Sequence, residues 1–234
     1  GMPVVLEQVE GERMSTVPAQ RTPTLHDLLT HRSGLTYGWF GPEKLDAIYR
    51  KHDINKLFVP VDQSIGEKVG QISKMPLKFQ PGTSWDYSVS VDVLGRVIEV
   101  ASGLTLEQFF RERFFRPLKM RDTHFSLPAE KQDRLAGLCT VDDSKRLQAV
   151  GAEPVTKGFL EFSSDYCLEN NRFYSGGGGL VSTATDYLRF LQMLLQDGQL
   201  EGVRVLQRDS VQSMKQNHIG DMQIPFPGHG DGFG

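Results

Sequence analysis

Tyr87 is the residue of this chain whose type and position best fit a catalytic group. It lies between Asp86 and Ser88, and apolar residues between 93 and 101 then recur at helical spacing. If Ser88 or Ser90 caps that helix, the free amides and the dipole at its amino end place a positive potential beside the phenol. A phenol in such a potential can act as a general base. The alternative is a partly buried tyrosine that packs the turn onto the helix.

A serine nucleophile with a lysine three residues later is absent from these 234 residues. The nearest pair is Ser64 and Lys68, spaced i,i+4 in a weak helix candidate. The G-x-S-x-G pattern of a nucleophile elbow is absent as well. We therefore predict that Ser64 is an ordinary surface serine.

Metal and nucleotide chemistry are not indicated by the sequence. The six histidines are scattered, and Cys139 and Cys167 lie in different segments without a C-x-x-C pattern. The run of glycines at 176–179 lacks the G-x-x-x-x-G-K-[ST] pattern of a phosphate-binding loop. We expect these glycines to let two stretches of backbone approach closely. Neither a metal nor another cofactor is predicted.

Composition points to a globular chain with a substantial core. Of its residues, 38% are hydrophobic and 24% are charged, which is typical of such proteins. A formal net charge of -3 argues against nucleic acid as a partner, because nucleic-acid binding needs a concentrated positive patch. The sequence also lacks the ~20 consecutive apolar residues of a membrane-spanning helix, so no membrane span is predicted.

Helical signals dominate the chain. Capping boxes, each a threonine followed three residues later by Asp or Gln, predict helix starts at Thr24, Thr105 and Thr183. Gly103 is predicted to end the helix that follows Tyr87. Residues 43–50 and 62–73 are weaker helix candidates.

The remaining segments are predicted to be mostly irregular. Residues 1–20 form an irregular lead-in, and residues 121–176 form an irregular insertion with two short strands around the turn at 142–145. The helix after Thr183 is predicted to face the core through Leu188, Leu191, Leu194 and Leu195. We therefore expect a mainly α chain with a few short strands, organised over residues 1–234 as a single helical domain.

Four stretches, taken together and in order, resemble the serine β-lactamase-like family, which includes class C β-lactamases, D,D-carboxypeptidases and related esterases. They are residues 24–35, 81–103, 114–125 and 176–198. The resemblance runs from about residue 20 to the end of the chain. It implies the helical domain of the β-lactamase/transpeptidase-like α+β fold, present as a fragment. Most of the sheet and the S-x-x-K and K-T-G regions of that family are missing from the fragment.

The resemblance also assigns roles to individual residues. Tyr87 matches the tyrosine of the family's Tyr-x-Asn element, which implies a general acid/base role, and Ser88 and Val89 complete that element as substrate-binding positions. Valine has no side-chain amide, so Val89 disfavours β-lactam recognition and favours an esterase-like or peptidase-like protein. The family's glycine loop implies a minor substrate contact from Gly177 or Gly178.

The last ten residues contain one further candidate for the third element. His229-Gly230 is similar to a histidine-glycine variant of K-T-G. Its position at the start of the expected strand pair, rather than on the later strand, disfavours a catalytic role for His229.

The resemblance implies hydrolysis of a small-molecule ester or amide through an acyl-enzyme. It also implies that the partner of this chain is the missing sheet domain of the same protein. Because a base without a nucleophile cannot form an acyl-enzyme, the fragment alone is expected to be inactive. The alternative is a non-catalytic helical binding or regulatory domain on the same scaffold.

Overall fold

Helices form most of the regular structure in the computed structural model, which describes residues 4–10, 13–39, 44–142, 144–158, 160–168, 171–222 and 224. The α-helices of this described part are α1 Leu25–Leu29, α2 Lys44–Lys51, α3 Ile65–Ile72, α4 Ser90–Ser102, α5 Leu106–Phe110, α6 Ala184–Leu195 and α7 Arg208–Met214. A π-helical turn, Arg111–Phe115, continues α5, and two 3-10 helices occupy Ala129–Arg134 and Ser164–Cys167.

The predicted helix ends are confirmed where they depend on neighbouring residues. Thr24 and Thr105 each cap a helix, with the reciprocal side-chain contact of a capping box. Thr183 caps α6 by accepting a hydrogen bond from the Asp186 amide. Gly103 ends α4 in the left-handed conformation, with φ of 72°.

Within the described residues, the strands pair with one another only as antiparallel hairpins. They are β1 Val4–Glu10 with β2 Arg13–Pro18, β3 Cys139–Val141 with β4 Leu147–Ala149, β5 Val155–Lys157 with β6 Leu160–Phe162, and β7 Gln199–Leu200 with β8 Val203–Arg204. The two short strands predicted around residues 142–145 are confirmed as β3 and β4.

The prediction of an irregular lead-in over residues 1–20 is wrong. Strands β1 and β2 pair there, and Pro18 is the last residue of β2, an edge strand in which a missing amide is tolerated. Val5 is buried and forms a parallel bridge with Leu77, whose amide donates to the Val4 carbonyl at 2.8 Å. Tertiary contact therefore supports a hairpin that the local sequence does not indicate.

The core has two parts, and the larger surrounds α4. This helix packs against α1, α3 and α5. The larger cluster includes Leu28, Ile65, Ile72, Val89 and Leu106. A smaller cluster lies between the end of the π-helical turn and α6, and it contains Phe115, Leu118, Met120, Met193 and Leu200.

The predicted core stripe of α6 is wrong for most of its members. Leu188, Leu191 and Leu195 are 53%, 42% and 80% exposed. The face that α6 buries is rotated from this stripe and carries Asp186 and Met193. Asp186 points inward because its carboxylate accepts hydrogen bonds from the Asp122 amide at 2.7 Å and the Thr123 hydroxyl at 2.9 Å. The leucine spacing predicts the helix correctly but not which side of it is covered.

The helices of the described residues are all too short or too polar to cross a lipid bilayer.

Candidate active site

Tyr87 lies two residues before the amino-terminal cap of α4. The capping position is Val89, which makes no side-chain capping bond, and the helix begins at Ser90. The prediction that Ser88 or Ser90 caps the helix is therefore wrong. The phenol still lies close to the amino end of the thirteen-residue helix α4, where the helix dipole is positive.

The hydroxyls of Ser88 and Ser90 are hydrogen-bonded to each other, with their Oγ atoms 2.7 Å apart. Ser90 Oγ is also 2.7 Å from Ser33 Oγ. All three serines are fully buried. This chain of hydroxyls joins the loop after α1 to the amino end of α4, and it fixes the backbone that carries Tyr87.

His31 packs directly against the tyrosine ring. The two ring centroids are 4.9 Å apart, and the Ser88 amide donates to His31 Nδ1 at 3.2 Å. Since a backbone amide can only donate, Nδ1 is unprotonated and the neutral ring carries its proton on Nε2. Burial lowers the pKa of His31 to about 4. His31 also adopts a left-handed φ of 57°, which turns the chain toward the site.

We expect the fold to lose stability as the pH falls from about 6.5 to about 4. In that range His31 takes up a proton in the unfolded chain but not in the folded one, so the contribution is complete above 6.5 and lost on acidification. The loss is at most about 3 kcal/mol. Urea denaturation measured at several pH values across this range should show that the free energy of unfolding of His31→Asn depends less steeply on pH. Asparagine is chosen because it tolerates a positive φ. Removing the exposed His52 serves as the control, and an equal change in both variants would contradict the assignment.

Tyr37 lies on another side of Tyr87. Tyr37 is 1% exposed, and its ring centroid is 5.0 Å from that of Tyr87. The Tyr37 ring stacks on Trp39 with centroids 4.0 Å apart and an interplanar angle of 2°. Tyr87 itself is half-buried, so part of the residue remains open to solvent.

A buried carboxylate ties the glycine loop to α4 behind these rings. Asp92 Oδ1 accepts from Ser175 Oγ at 2.6 Å and from the Gly177 amide at 3.4 Å. Burial raises the pKa of Asp92, while the bond from Ser175 and the charge of buried Lys68 act in the opposite direction. Burial in turn lowers the pKa of Lys68 to about 8. Asp92 therefore positions the loop from inside the protein.

The glycine run approaches the backbone of α4 closely, as its sequence predicts. A Cβ on Gly176 would lie 2.2 Å from the Val91 carbonyl oxygen, and one on Gly177 would lie 2.5 Å from the Tyr37 hydroxyl. Gly177 is half-buried and Gly178 is exposed. Their contact with substrate stays a prediction, but the loop does adjoin the residues around Tyr87.

The two residues after Tyr87 are inaccessible. Ser88 and Val89 are both 0% exposed. Val89 belongs to the larger core cluster. A substrate contact from either side chain stays a prediction, and their buried positions disfavour it.

The serine and lysine in α3 do not form a catalytic pair. Ser64 caps α3, and its hydroxyl accepts from the Glu67 amide at 3.2 Å within a capping box. Lys68 is fully buried, and its Nζ donates to the Asp53 carbonyl at 2.6 Å. Both residues therefore stabilise the helix and the core. His229 lies outside the described residues.

The sequence did not single out His31, Tyr37, Asp92 and Ser175 as neighbours of the site. His31 and Tyr37 come from the stretch that follows α1, and Ser175 directly precedes the glycine run. His31 and Asp92 lie inside the matched stretches, and Tyr37 and Ser175 lie within two residues of one, which was the available signal. Among the described residues, no three His, Cys, Asp or Glu side chains come together as possible metal ligands.

The family assignment is shown by comparison with known proteins. A model of the β-lactamase family matches residues 12–233, and the chain belongs to this family. It is 35% identical over 221 residues to protein Rv1367c of Mycobacterium tuberculosis, covering 94% of this chain and 50% of that protein.

Two characterised relatives carry names that describe activity. Lovastatin esterase of Penicillium rubens is 33% identical over 206 residues, which cover 87% of this chain and 46% of the esterase. The solved structure of EstCE1, a hydrolase with promiscuous acyltransferase activity, superposes with a TM-score of 0.71 at 26% identity, covering 84% of this chain and 51% of EstCE1. The chain thus spans about half the length of the curated relatives it matches. The β-lactamase/transpeptidase-like fold is supported by these likenesses.

Proposed function

We propose that this chain is part of a serine hydrolase that acts on a small-molecule ester or amide through an acyl-enzyme, with Tyr87 as the general acid/base. The observation that carries the proposal is the setting of Tyr87. Its ring is held by His31 and Tyr37 at the amino end of α4, and part of the residue stays open to solvent. A fixed, accessible phenol of this kind suits proton transfer during acyl transfer.

The proposed reaction has two halves. In the first, the Tyr87 phenolate takes the proton of the serine hydroxyl as the serine oxygen attacks the substrate carbonyl, and Tyr87 passes that proton to the leaving alcohol or amine. In the second, Tyr87 takes a proton from the water that attacks the acyl-enzyme and passes it to the serine oxygen as the bond from the acyl group to the serine breaks. The serine would come from an S-x-x-K pair outside these 234 residues.

An ester is the favoured substrate class. Val89 replaces the asparagine of the Tyr-x-Asn element, and it is buried without any group that could bind a lactam amide. The names of two relatives, an esterase and a hydrolase with acyltransferase activity, support the same choice. By analogy with the second relative, an alcohol could replace water in the second half of the reaction.

We expect the 234-residue chain by itself to hydrolyse neither p-nitrophenyl butyrate nor nitrocefin above the buffer rate, because it lacks the nucleophile. The measurement is absorbance of the released nitrophenol or opened lactam. Turnover that disappears in Ser64→Ala would contradict the assignment of that serine as a helix cap. Thr105→Ala is the matched control, since it removes another capping hydroxyl with a similar loss of about 1 kcal/mol.

The reading frame upstream of Gly1 separates an enzyme from a silent domain. An S-x-x-K encoded roughly 50 residues before the stretch at 24–35 supports the proposed hydrolase. A stop codon or an unrelated domain there would instead favour a non-catalytic binding or regulatory domain on this scaffold.

A further inference from the structure

We propose that a cavity of about 320 Å³ beside the amino end of α6 is a second binding site, which takes a small amphipathic monocarboxylate. Such a molecule has an apolar body and one carboxylate group. The walls of the cavity come from three segments, residues 122–127, 131–136 and 181–183. The residues described around Tyr87 are not among those that line it. The inference therefore goes beyond the proposed function and does not depend on it.

The walls of the cavity are largely apolar, and backbone hydrogen bonds hold them in place. Val181 and His124 exchange both of their backbone bonds, at 2.9 and 3.0 Å. The Leu127 amide donates to the Cys167 carbonyl at 2.7 Å. A preformed cavity of this size is at the lower end of the range for ligand pockets, ~300–1,000 Å³. The apolar side chains that line it are Leu127, Leu135, Ala136 and Val181.

Two of the three charged residues at the cavity are already engaged by the protein. The Asp122 carboxylate accepts two bonds from Arg134, at 2.8 and 2.9 Å, and lies 3.0 Å from Lys131 Nζ. These bonds hold the pKa of the Asp122 carboxyl well below its usual range. Lys131 directs its other two protons to the Arg121 carbonyl at 2.5 Å and to His124 Nε2 at 3.2 Å.

Arg134 and Thr183 still have protons to donate to a ligand. A guanidinium has five N–H groups, and within the described residues Arg134 makes hydrogen bonds only to Asp122. The Thr183 hydroxyl oxygen accepts from the Asp186 amide at 3.2 Å, which leaves the hydroxyl proton unused by that bond. Asp186 does not line the cavity, and its carboxylate already accepts from the Asp122 amide and the Thr123 hydroxyl.

This combination selects the class of ligand. The apolar walls favour a hydrocarbon body, because its burial removes apolar surface from water. The planar N–H fork of Arg134 suits a carboxylate, and such charge-assisted bonds are stronger than neutral ones. A doubly charged group, such as a phosphate monoester, would meet the Asp122 carboxylate with a single cation left to bind it. A monocarboxylate therefore fits best.

Isothermal titration calorimetry of the 234-residue chain with sodium octanoate tests the site. We expect one octanoate per chain with a Kd on the order of 0.1–1 mM, as for a small ligand of ordinary efficiency. Arg134→Gln should weaken binding about tenfold, because a neutral amide replaces the guanidinium. Arg172→Gln is the matched control, since it removes an exposed arginine that pairs with Asp62 and does not line the cavity.

A second variant tests the location of the ligand independently of charge. Ala136→Trp places a large side chain in the cavity wall and should also weaken octanoate binding at least about tenfold, because it fills space that the ligand needs. Ala129→Trp is its control, because Ala129 is exposed on the same 3-10 helix and does not line the cavity. Circular dichroism of each variant checks that the chain is folded.

The outcomes that would overturn the proposal are distinct. One is the absence of saturable binding up to about 10 mM octanoate, well above the expected Kd. Another is an unchanged Kd in folded Arg134→Gln or in folded Ala136→Trp, which would place octanoate elsewhere. We also expect about 1 mM 1-octanol to leave the octanoate Kd unchanged, because the alcohol lacks the charge-assisted bond. Competition by 1-octanol as strong as that by octanoate itself would mean that the cavity does not recognise a carboxylate.

Discussion

Tyr87→Phe is expected to lower ester turnover at least about 100-fold in the protein that carries the S-x-x-K serine, which is the usual contribution of a positioned acid/base. The substitution removes only the hydroxyl, so the ring contacts with His31 and Tyr37 remain. The loss should appear in kcat rather than in KM, because the proton is transferred in the transition state. Initial rates with a series of p-nitrophenyl esters measure both constants.

The matched control for this substitution is Tyr187→Phe. Tyr187 is 56% exposed on α6, and its ring contacts Phe190 rather than Tyr87. It should keep the activity of the unmodified protein. If Tyr87→Phe keeps a third or more of the activity while its thermal unfolding midpoint is unchanged, Tyr87 is not the acid/base of the reaction. That result would favour the alternative in which Tyr87 only packs the turn onto the helix.

Gly176→Ala is expected to destabilise the fold by about 3 kcal/mol, the upper range for overpacking. The added Cβ would lie 2.2 Å from the Val91 carbonyl oxygen and 3.3 Å from the Asp92 Cα. Both neighbours are backbone atoms of α4, which cannot move aside as the end of a side chain can. Urea denaturation gives the change in the free energy of unfolding.

Gly70→Ala is the control with the opposite sign. Gly70 is exposed within α3, and a Cβ there would meet nothing within 4 Å. Alanine in such a helix position should stabilise the fold by about 0.5–1 kcal/mol. Equal destabilisation by both substitutions would contradict the close approach of the glycine loop to α4.

The sequence determined those features that depend on near neighbours. The caps at Thr24 and Thr105 join a side chain to an amide three residues away, so the residue types alone predict them. The same holds for Gly103 at the end of α4 and for the hairpin of β3 and β4. Tyr87 could be found because its stretch matches a family element, although its capping serines were assigned wrongly.

The tertiary structure decided which of these features meet. The bonds from His31 to Ser88 and from Asp92 to Ser175 span 57 and 83 residues of sequence, and no local pattern specifies such pairs. The exposed side of α6 and the pairing of β1 with β2 were missed for the same reason, since each depends on what packs against it. Spacing along the chain sets the period of an element, whereas burial and distant partners set the face it covers and the side chains that surround Tyr87.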